Sequence, residues 1–139
     1  SGALIVRNDE IVSTGYNGAP RGRSNCIDLG YCIRERLGIP AGERYELCRS
    51  VHAEMNAIIS AARSECIGGT IYLAGRDVAT GELIPDLLPC PMCRRMIINA
   101  GLSKIVIRRT PSTYDILNVQ DWVFHDDSVI DPSESGEQA

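Results

Sequence analysis

Two short groups of residues carry side chains that suit a metal ion. The first is His-Ala-Glu at residues 52–54, and the second is Pro-Cys-Pro-Met-Cys at residues 89–93. The imidazole of His52 and the thiolates of Cys90 and Cys93 are common zinc ligands, and the two-residue gap lets both sulfurs face one ion. Three protein ligands leave the fourth position of a tetrahedral zinc for water, which is typical of a catalytic site.

Glu54 supplies a carboxylate two residues from the histidine. A zinc-bound water loses its proton near neutral pH, and a neighbouring carboxylate can take that proton and deliver it elsewhere. A lone Cys-x-x-Cys is more often a structural or redox motif. Both groups together, in this order, instead favour hydrolytic attack on an electron-poor carbon with loss of ammonia, the chemistry of zinc deaminases.

Each group is predicted to start a helix. Apolar residues at helical spacing predict a helix over residues 52–63, with Ser50 as its cap. A second helix is predicted over residues 91–100, where Pro91 suits the first position and Gly101 ends the helix. The positive ends of the two helices would stabilise thiolates and a metal-bound hydroxide.

Short aliphatic runs predict the strands of a sheet that carries these helices. Residues 114–124 fit either a strand or, in part, a short helix. The alternation of strands and helices predicts an α/β sandwich with a mixed sheet of four to five strands. The predicted strands cover residues 3–7, 11–16, 70–74 and 103–109, and the main loops cover residues 17–25 and 75–88.

The composition is that of one soluble globular domain, with 139 residues of which 44% are hydrophobic and 23% are charged. No apolar run approaches the ~20 residues that span a bilayer, and no signal peptide opens the chain, so a cytoplasmic protein is expected. A net charge of -4 argues against nucleic acid as a partner. Residues 1–125 form the predicted domain, and residues 126–139 are predicted to be a disordered tail.

Three motifs resemble those of the cytidine and deoxycytidylate deaminase superfamily, and most of all its deoxycytidylate (dCMP) deaminase branch. They are Gly-Tyr-Asn-Gly-Ala-Pro at residues 15–20, His-Ala-Glu-Met-Asn-Ala-Ile at residues 52–58, and the cysteine motif at residues 89–93. Asn56 favours the dCMP branch. The resemblance implies a three-layer cytidine-deaminase-like sandwich, a homo-oligomer, conversion of dCMP to dUMP for thymidylate synthesis, and in some members regulation by dCTP and dTTP.

The resemblance also implies roles for the residues of the two groups. His52, Cys90 and Cys93 would bind one catalytic zinc, and zinc hydroxide would attack C4 of the cytosine ring. Glu54 would be the proton shuttle, which protonates N3 and then helps to protonate the departing amine.

Five further residues are predicted to contact the nucleotide. Asn17 resembles the family residue that contacts the nucleoside, although an asparagine also fits a tight turn before glycine. Ala53 would present its backbone N–H to the pyrimidine carbonyl. Arg21 and Arg23 are predicted phosphate ligands, or otherwise solvated loop residues, because arginine pairs with phosphate through two hydrogen bonds. Tyr114 is a weaker prediction, since it also suits a strand.

Cys26, Cys32 and Cys48 lie before the predicted helix at residues 52–63, in a glycine-rich stretch with weak hydrophobic periodicity. In similar dCMP deaminases this stretch can carry a second, structural zinc, so the three thiols are predicted to bind one; buried free cysteines are the alternative. The family's fourth ligand and its N-terminal helix would precede the first strand, and neither has a counterpart in a sequence that opens at Ser1. Cys66 is predicted to be a buried packing residue.

The sequence is also compatible with two other functions. The first is deamination of another nucleoside or base, including adenosine in tRNA, which would need an electropositive surface around the site. The second is a non-catalytic interaction module stabilised by zinc. Glu54 argues against the second function, because a purely structural zinc site has no use for that carboxylate.

Overall fold

The computed structural model describes residues 1–125; the predicted tail at residues 126–139 lies outside them. Five strands form one mixed sheet in the order β2-β1-β3-β4-β5. Strands β3 and β4 are parallel and the other neighbours are antiparallel, which confirms the predicted α/β fold with a mixed sheet. The strands are β1 (Gly2–Arg7), β2 (Glu10–Tyr16), β3 (Thr70–Ala74), β4 (Lys104–Arg108) and β5 (Tyr114–Asn118).

The helices follow the predicted pattern with two corrections. The predicted helix over residues 52–63 is interrupted, because Ala62 has an extended backbone, and its cap residue is His52 and not Ser50. Residues 114–124 contain both predicted alternatives, a strand followed by a helix. The helices are α1 (Cys26–Leu29), α2 (Ile33–Arg36), α3 (Ala53–Ile59), α4 (Arg63–Cys66), α5 (Pro91–Ala100) and α6 (Val119–Phe124), with a 3₁₀ turn at Tyr45–Leu47.

The core lies between one face of the sheet and the helices α3 and α5. Inward residues alternate along the strands, as the pleat requires, and Ile5, Ile71, Ile105 and Ile107 have no exposed surface. Helix α5 is the crossover between the parallel strands β3 and β4, and its Ile97 is fully buried against the same cluster. Helices α3 and α5 therefore pack on the same face of the sheet.

The opposite face of the sheet carries an open apolar groove of about 700 Å³. Strand residues line this groove, and among them Tyr72 and Ile116 are 41% and 55% exposed. Residues 1–125 therefore account for the sheet and one helical layer of the expected three-layer sandwich.

None of the helices in residues 1–125 combines the length and the hydropathy that a membrane-spanning helix needs.

Candidate metal and catalytic site

His52, Cys90 and Cys93 come together although Cys90 lies 38 positions after the histidine in the sequence. The Nδ1 atom of His52 lies 3.4 Å from the Sγ atom of Cys90 and 3.4 Å from that of Cys93. A tetrahedral zinc with bonds of about 2.3 Å to sulfur and about 2.0 Å to nitrogen separates such donors by about 3.5 Å. The donor set therefore fits a zinc ion in both chemistry and spacing.

The starts of two helices hold these ligands in place. His52 caps α3, and Cys90 caps α5 with its sulfur accepting a hydrogen bond from the backbone N–H of Cys93 at 3.4 Å. The positive end of α5 favours a thiolate at this position. A hydrogen bond from the Cys93 thiol lowers the pKa of Cys90 to about 4 and raises the pKa of Cys93.

The ring of His52 lies among sulfur atoms. Hydrogen bonds with the side chains of Cys48 and Cys90 raise the pKa of His52 to about 10. The same contact with His52 lowers the pKa of the Cys48 thiol. The sulfur atoms around the ring therefore favour positive charge at this position.

Glu54 is buried in the first turn of α3 and is 6% exposed. Burial raises the pKa of its carboxyl group, and a hydrogen bond with the Cys93 side chain opposes this shift. A carboxyl group whose pKa is raised exchanges its proton closer to neutral pH. Glu54 is thus beside a metal ligand and suited to proton transfer.

Polar contacts join the end of strand β2 to helix α3. The Nδ2 atom of Asn56 donates to the carbonyl oxygen of Tyr16 at 2.8 Å, and the backbone N–H of Ala53 donates to Oδ1 of Asn17 at 2.8 Å. These two amides tie the loop that follows β2 to the helix that carries Glu54. Asn56, noted in the sequence only as a family signature, therefore has a structural role.

Strand β2 and helix α3 also meet at two buried contacts. The sequence did not reveal either of them. The hydroxyl of Ser13 donates to the carbonyl oxygen of Ala57 at 2.7 Å, inside the core. A Cβ atom on Gly15 would lie 2.4 Å from the Ala53 oxygen and 2.4 Å from the Ala57 nitrogen. The only local signals were a serine at an inward strand position and a glycine inside a strand.

A hydrogen bond links Ala53 and Asn17, two of the residues predicted to contact the substrate. Ala53 was expected to offer its backbone N–H to a pyrimidine carbonyl, but that N–H is bonded to Asn17. The same bond fixes the orientation of the Asn17 amide, because Oδ1 must face the helix. Its Nδ2 group then points away from the N–H that Oδ1 accepts.

Arg21 and Arg23 lie in the loop between β2 and α1. One end of this loop is tied to the start of α3 by a β-bridge between Gly18 and Val51, the residue before the histidine ligand. The other end is held by Arg49, whose Nε atom donates to the Ser24 carbonyl at 2.7 Å. Within residues 1–125, the side chains of both predicted phosphate ligands are exposed and make no hydrogen bond or ion pair, and the backbone N–H of Arg23 donates to the carbonyl oxygen of Pro20 at 2.9 Å.

Tyr114 is not brought to the metal ligands. It lies at the start of β5, is 62% exposed, and lines the groove on the opposite face of the sheet. The alternation of side chains along β5 places Tyr114 and Ile116 on that face, whereas Leu117 packs against the core. The expectation of a substrate contact is not supported by this position.

The structure does not group Cys26, Cys32 and Cys48 as a second metal site. Within residues 1–125, the only cluster of three or more such donors within 4.8 Å of one another is the one that contains His52. Cys48 instead contacts the ring of that histidine, and Cys26 lines a separate small cavity. Cys66 is fully buried in the core, as predicted.

Comparison with known proteins places the chain in a family. Residues 1–109 match the model described as the cytidine and deoxycytidylate deaminase zinc-binding region. The deoxycytidylate deaminase of Schizosaccharomyces pombe is 33% identical over 105 residues, which cover 76% of this chain and 29% of that protein. The deoxycytidylate deaminase of Enterobacteria phage T4 is 31% identical over 140 aligned positions, which cover 78% of this chain and 66% of that protein.

A solved structure shows the same likeness. The dCMP deaminase from the cyanophage S-TIM5, crystallised in complex with dCMP and dUMP, is 29% identical with a TM-score of 0.50. The match covers 77% of this chain and 63% of that chain, so this chain spans at most 66% of any of these three relatives. Because the family model matches well over half of its residues, the chain belongs to the cytidine and deoxycytidylate deaminase family.

Proposed function

We propose that the chain catalyses the zinc-dependent hydrolytic deamination of dCMP to dUMP. The observation that carries this proposal is a set of three metal ligands, His52, Cys90 and Cys93, with the buried carboxyl of Glu54 beside it. A structural zinc would be closed by a fourth protein ligand, whereas this set leaves one position for a reactant. The relatives named as dCMP deaminases support the choice of substrate.

His52, Cys90 and Cys93 would hold the zinc ion. When bound there, zinc lowers the pKa of a coordinated water and so supplies a nucleophile at neutral pH. The hydrogen bond from the Cys93 backbone to Cys90 keeps one thiolate at the start of α5. The donor set, with one imidazole and two sulfurs, is suited to zinc more than to magnesium or calcium, which prefer oxygen ligands.

Glu54 would move the protons. Its carboxylate accepts a proton from the attacking water and delivers it to N3 of cytosine, so that negative charge does not accumulate on the ring. It then assists protonation of the amine at C4, which leaves as ammonia while the C4 carbonyl forms. Burial of Glu54 excludes bulk water from these transfers and supports this shuttle role.

The β2–α1 loop would bind the rest of the nucleotide. Asn17, whose Oδ1 is held by Ala53, would donate from Nδ2 to an oxygen of the nucleoside. Arg21 and Arg23 would bind the phosphate. The loop that carries them is tied through Gly18 to Val51, the residue before the metal ligand His52.

The test is an assay of the zinc-loaded protein with dCMP, deoxycytidine, cytidine and cytosine. Conversion of dCMP to dUMP is expected, with loss of turnover in Glu54→Gln at an unchanged zinc content. The matched control is Glu10→Gln, which makes the same change at an exposed strand residue and leaves turnover unchanged.

Turnover of a nucleoside or free base without turnover of dCMP would overturn the substrate assignment. Wild-type turnover in Glu54→Gln would overturn the proton-shuttle role. Zinc binding without turnover of any of these substrates would favour a non-catalytic module.

The resemblance to dCMP deaminases also supports finer proposals. The chain would act in the cytoplasm in pyrimidine nucleotide biosynthesis, supplying dUMP, and would assemble as a homo-oligomer. The nucleotides dCTP and dTTP would be effectors. Light scattering coupled to size-exclusion chromatography tests the assembly, and the dependence of the dCMP rate on added dCTP or dTTP tests regulation.

A further inference from the structure

We propose that Tyr45, held in place by Arg34, is a positioning residue that fixes the ring of His52 for metal binding. The segment that precedes α3 would thus be held by an arginine–tyrosine stack where the sequence suggested a second zinc. The inference rests on the proposed role of His52 as a metal ligand.

The rings of Tyr45 and His52 are in direct contact. Their centroids are 5.8 Å apart and their planes are perpendicular, the edge-to-face arrangement that aromatic rings favour. The imidazole already faces the sulfurs of Cys90 and Cys93 through Nδ1. A neighbour packed against a ligand ring restricts its rotation, and groups that orient ligands in this way commonly tune metal affinity.

Tyr45 is itself fixed by two contacts. Its hydroxyl oxygen accepts a hydrogen bond from the backbone N–H of Gly42 at 3.2 Å. The guanidinium carbon of Arg34 lies 4.2 Å from the centroid of the tyrosine ring, within the range of a cation–π interaction. Tyr45 therefore reaches His52 from a defined position.

Arg34 ties this stack to the backbone of the same segment. Its Nε atom donates to the carbonyl oxygen of Glu43 at 3.0 Å, and its terminal nitrogen donates to that of Pro40 at 2.9 Å. One side chain from α2 therefore closes the loop over residues 37–44 and packs on the 3₁₀ turn that follows.

Cys48 adds a second contact from the same segment to the same ring. Its thiol is hydrogen-bonded to the side chain of His52, three residues after Tyr45 in the chain. The segment therefore meets the imidazole through both an aromatic ring and a sulfur atom.

The same segment contains a matched control. Arg36 stacks on Tyr31 with its guanidinium carbon 3.6 Å from the ring centroid, another arginine–tyrosine pair. Tyr31 lines the small cavity formed with Cys26 and Leu47. A variant of Tyr31 therefore removes a similar stack from the same segment without removing the ring that contacts the histidine.

The experiment compares zinc release and cobalt spectra in the full chain. Tyr45→Leu, Tyr45→Phe and Tyr31→Leu are loaded with zinc, and transfer of zinc to a coloured chelator gives the affinity. Tyr45→Leu is expected to weaken zinc binding by about 10- to 100-fold, the range found when groups that orient metal ligands are removed. Tyr45→Phe keeps the ring and is expected to restore most of the affinity, and Tyr31→Leu is expected to match the wild type.

Cobalt(II) reports the ligand geometry independently of activity. The sulfur-to-cobalt and d–d absorption bands are expected to shift in Tyr45→Leu and to remain as in the wild type in the other two variants. If Tyr45→Leu does not fold, Arg34→Met, which leaves the tyrosine ring but removes its stack, is measured by the same two methods and is expected to shift both.

The outcomes separate this inference from the proposed function. A wild-type chain that binds no zinc would overturn the metal site itself. Tight zinc binding by the wild type, with Tyr45→Leu and Arg34→Met indistinguishable from it, would overturn only the positioning role. Equal losses in Tyr45→Leu and Tyr31→Leu would show a general effect on the segment and would overturn it as well.

Discussion

The backbone N–H of Ala53 donates to Oδ1 of Asn17 at 2.8 Å, across 36 residues of sequence. This bond satisfies one of the free N–H groups at the start of α3, where His52 gives no cap through its own side chain. It also orients the Asn17 amide with Nδ2 away from the helix. Asn17 thus caps the helix through Oδ1 and leaves its Nδ2 group free of that contact. These two roles can be separated by mutation.

Asn17→Asp and Asn17→Ala are predicted to differ in stability and agree in activity. The aspartate keeps an oxygen acceptor for Ala53, so the free energy of unfolding is expected to stay near the wild-type value. The alanine removes the cap and is expected to cost about 1 kcal/mol. Both lack the Nδ2 donor, so both are expected to lower kcat/KM for dCMP; urea unfolding and initial rates provide the two measurements.

Equal stability losses in both variants would contradict the capping role of Oδ1. Wild-type kcat/KM in Asn17→Asp would contradict the proposed contact between Nδ2 and the nucleoside.

Gly15→Ala is predicted to be strongly destabilising. The new Cβ would lie 2.4 Å from backbone atoms of both Ala53 and Ala57, and backbone cannot move away as a flexible side chain can. The expected loss is about 3 kcal/mol, at the upper end for overpacking. Gly2→Ala is the matched control on the neighbouring strand, because its Cβ would meet its nearest atom at 4.0 Å. Thermal unfolding that is equal in the two variants would show that β2 and α3 are less closely packed.

The sequence predicted those parts of the site that depend on local patterns. Helix α5 has the predicted bounds because Pro91 starts it and Gly101, with a φ of 81°, ends it. The order of His52, Glu54, Cys90 and Cys93 along the chain also predicted a metal group that the fold assembles. These features are set by residue type and short-range spacing.

Contacts between segments that are distant in the sequence could not be predicted from such local patterns. No local pattern indicates that Tyr45 packs on His52, or that the Ala53 N–H is taken by Asn17. Tyr114 lies in a strand, as its residue type suggests, but only the sheet register shows which face it occupies. The predicted zinc clamp also depends on contacts of this kind, and within residues 1–125 no group of three metal donors contains Cys26 or Cys32.

The chain described here is predicted to bind one zinc ion. Cys26→Ser and Cys32→Ser are expected to keep one zinc per chain, because the structure places neither residue in the metal group. Cys90→Ser removes a ligand, and its zinc is expected to be lost during dialysis against a chelator. Elemental analysis of the dialysed proteins gives the ratio. Two zinc ions per wild-type chain, falling to one in Cys26→Ser, would restore the second site that the sequence suggested.

Arg21→Ala and Arg23→Ala are predicted to raise KM for dCMP and leave kcat unchanged. A charged hydrogen bond contributes about 1.5–3 kcal/mol, so loss of one phosphate contact is expected to raise KM by about 10- to 100-fold. Deoxycytidine has no phosphate, so any rate with this nucleoside is expected to be the same in wild type and variants. Arg7→Ala, on strand β1, is the control arginine variant and is expected to leave both KM values unchanged. An equal loss with dCMP and deoxycytidine would instead assign these arginines to folding of the loop, since removal of a phosphate contact cannot affect a substrate without phosphate.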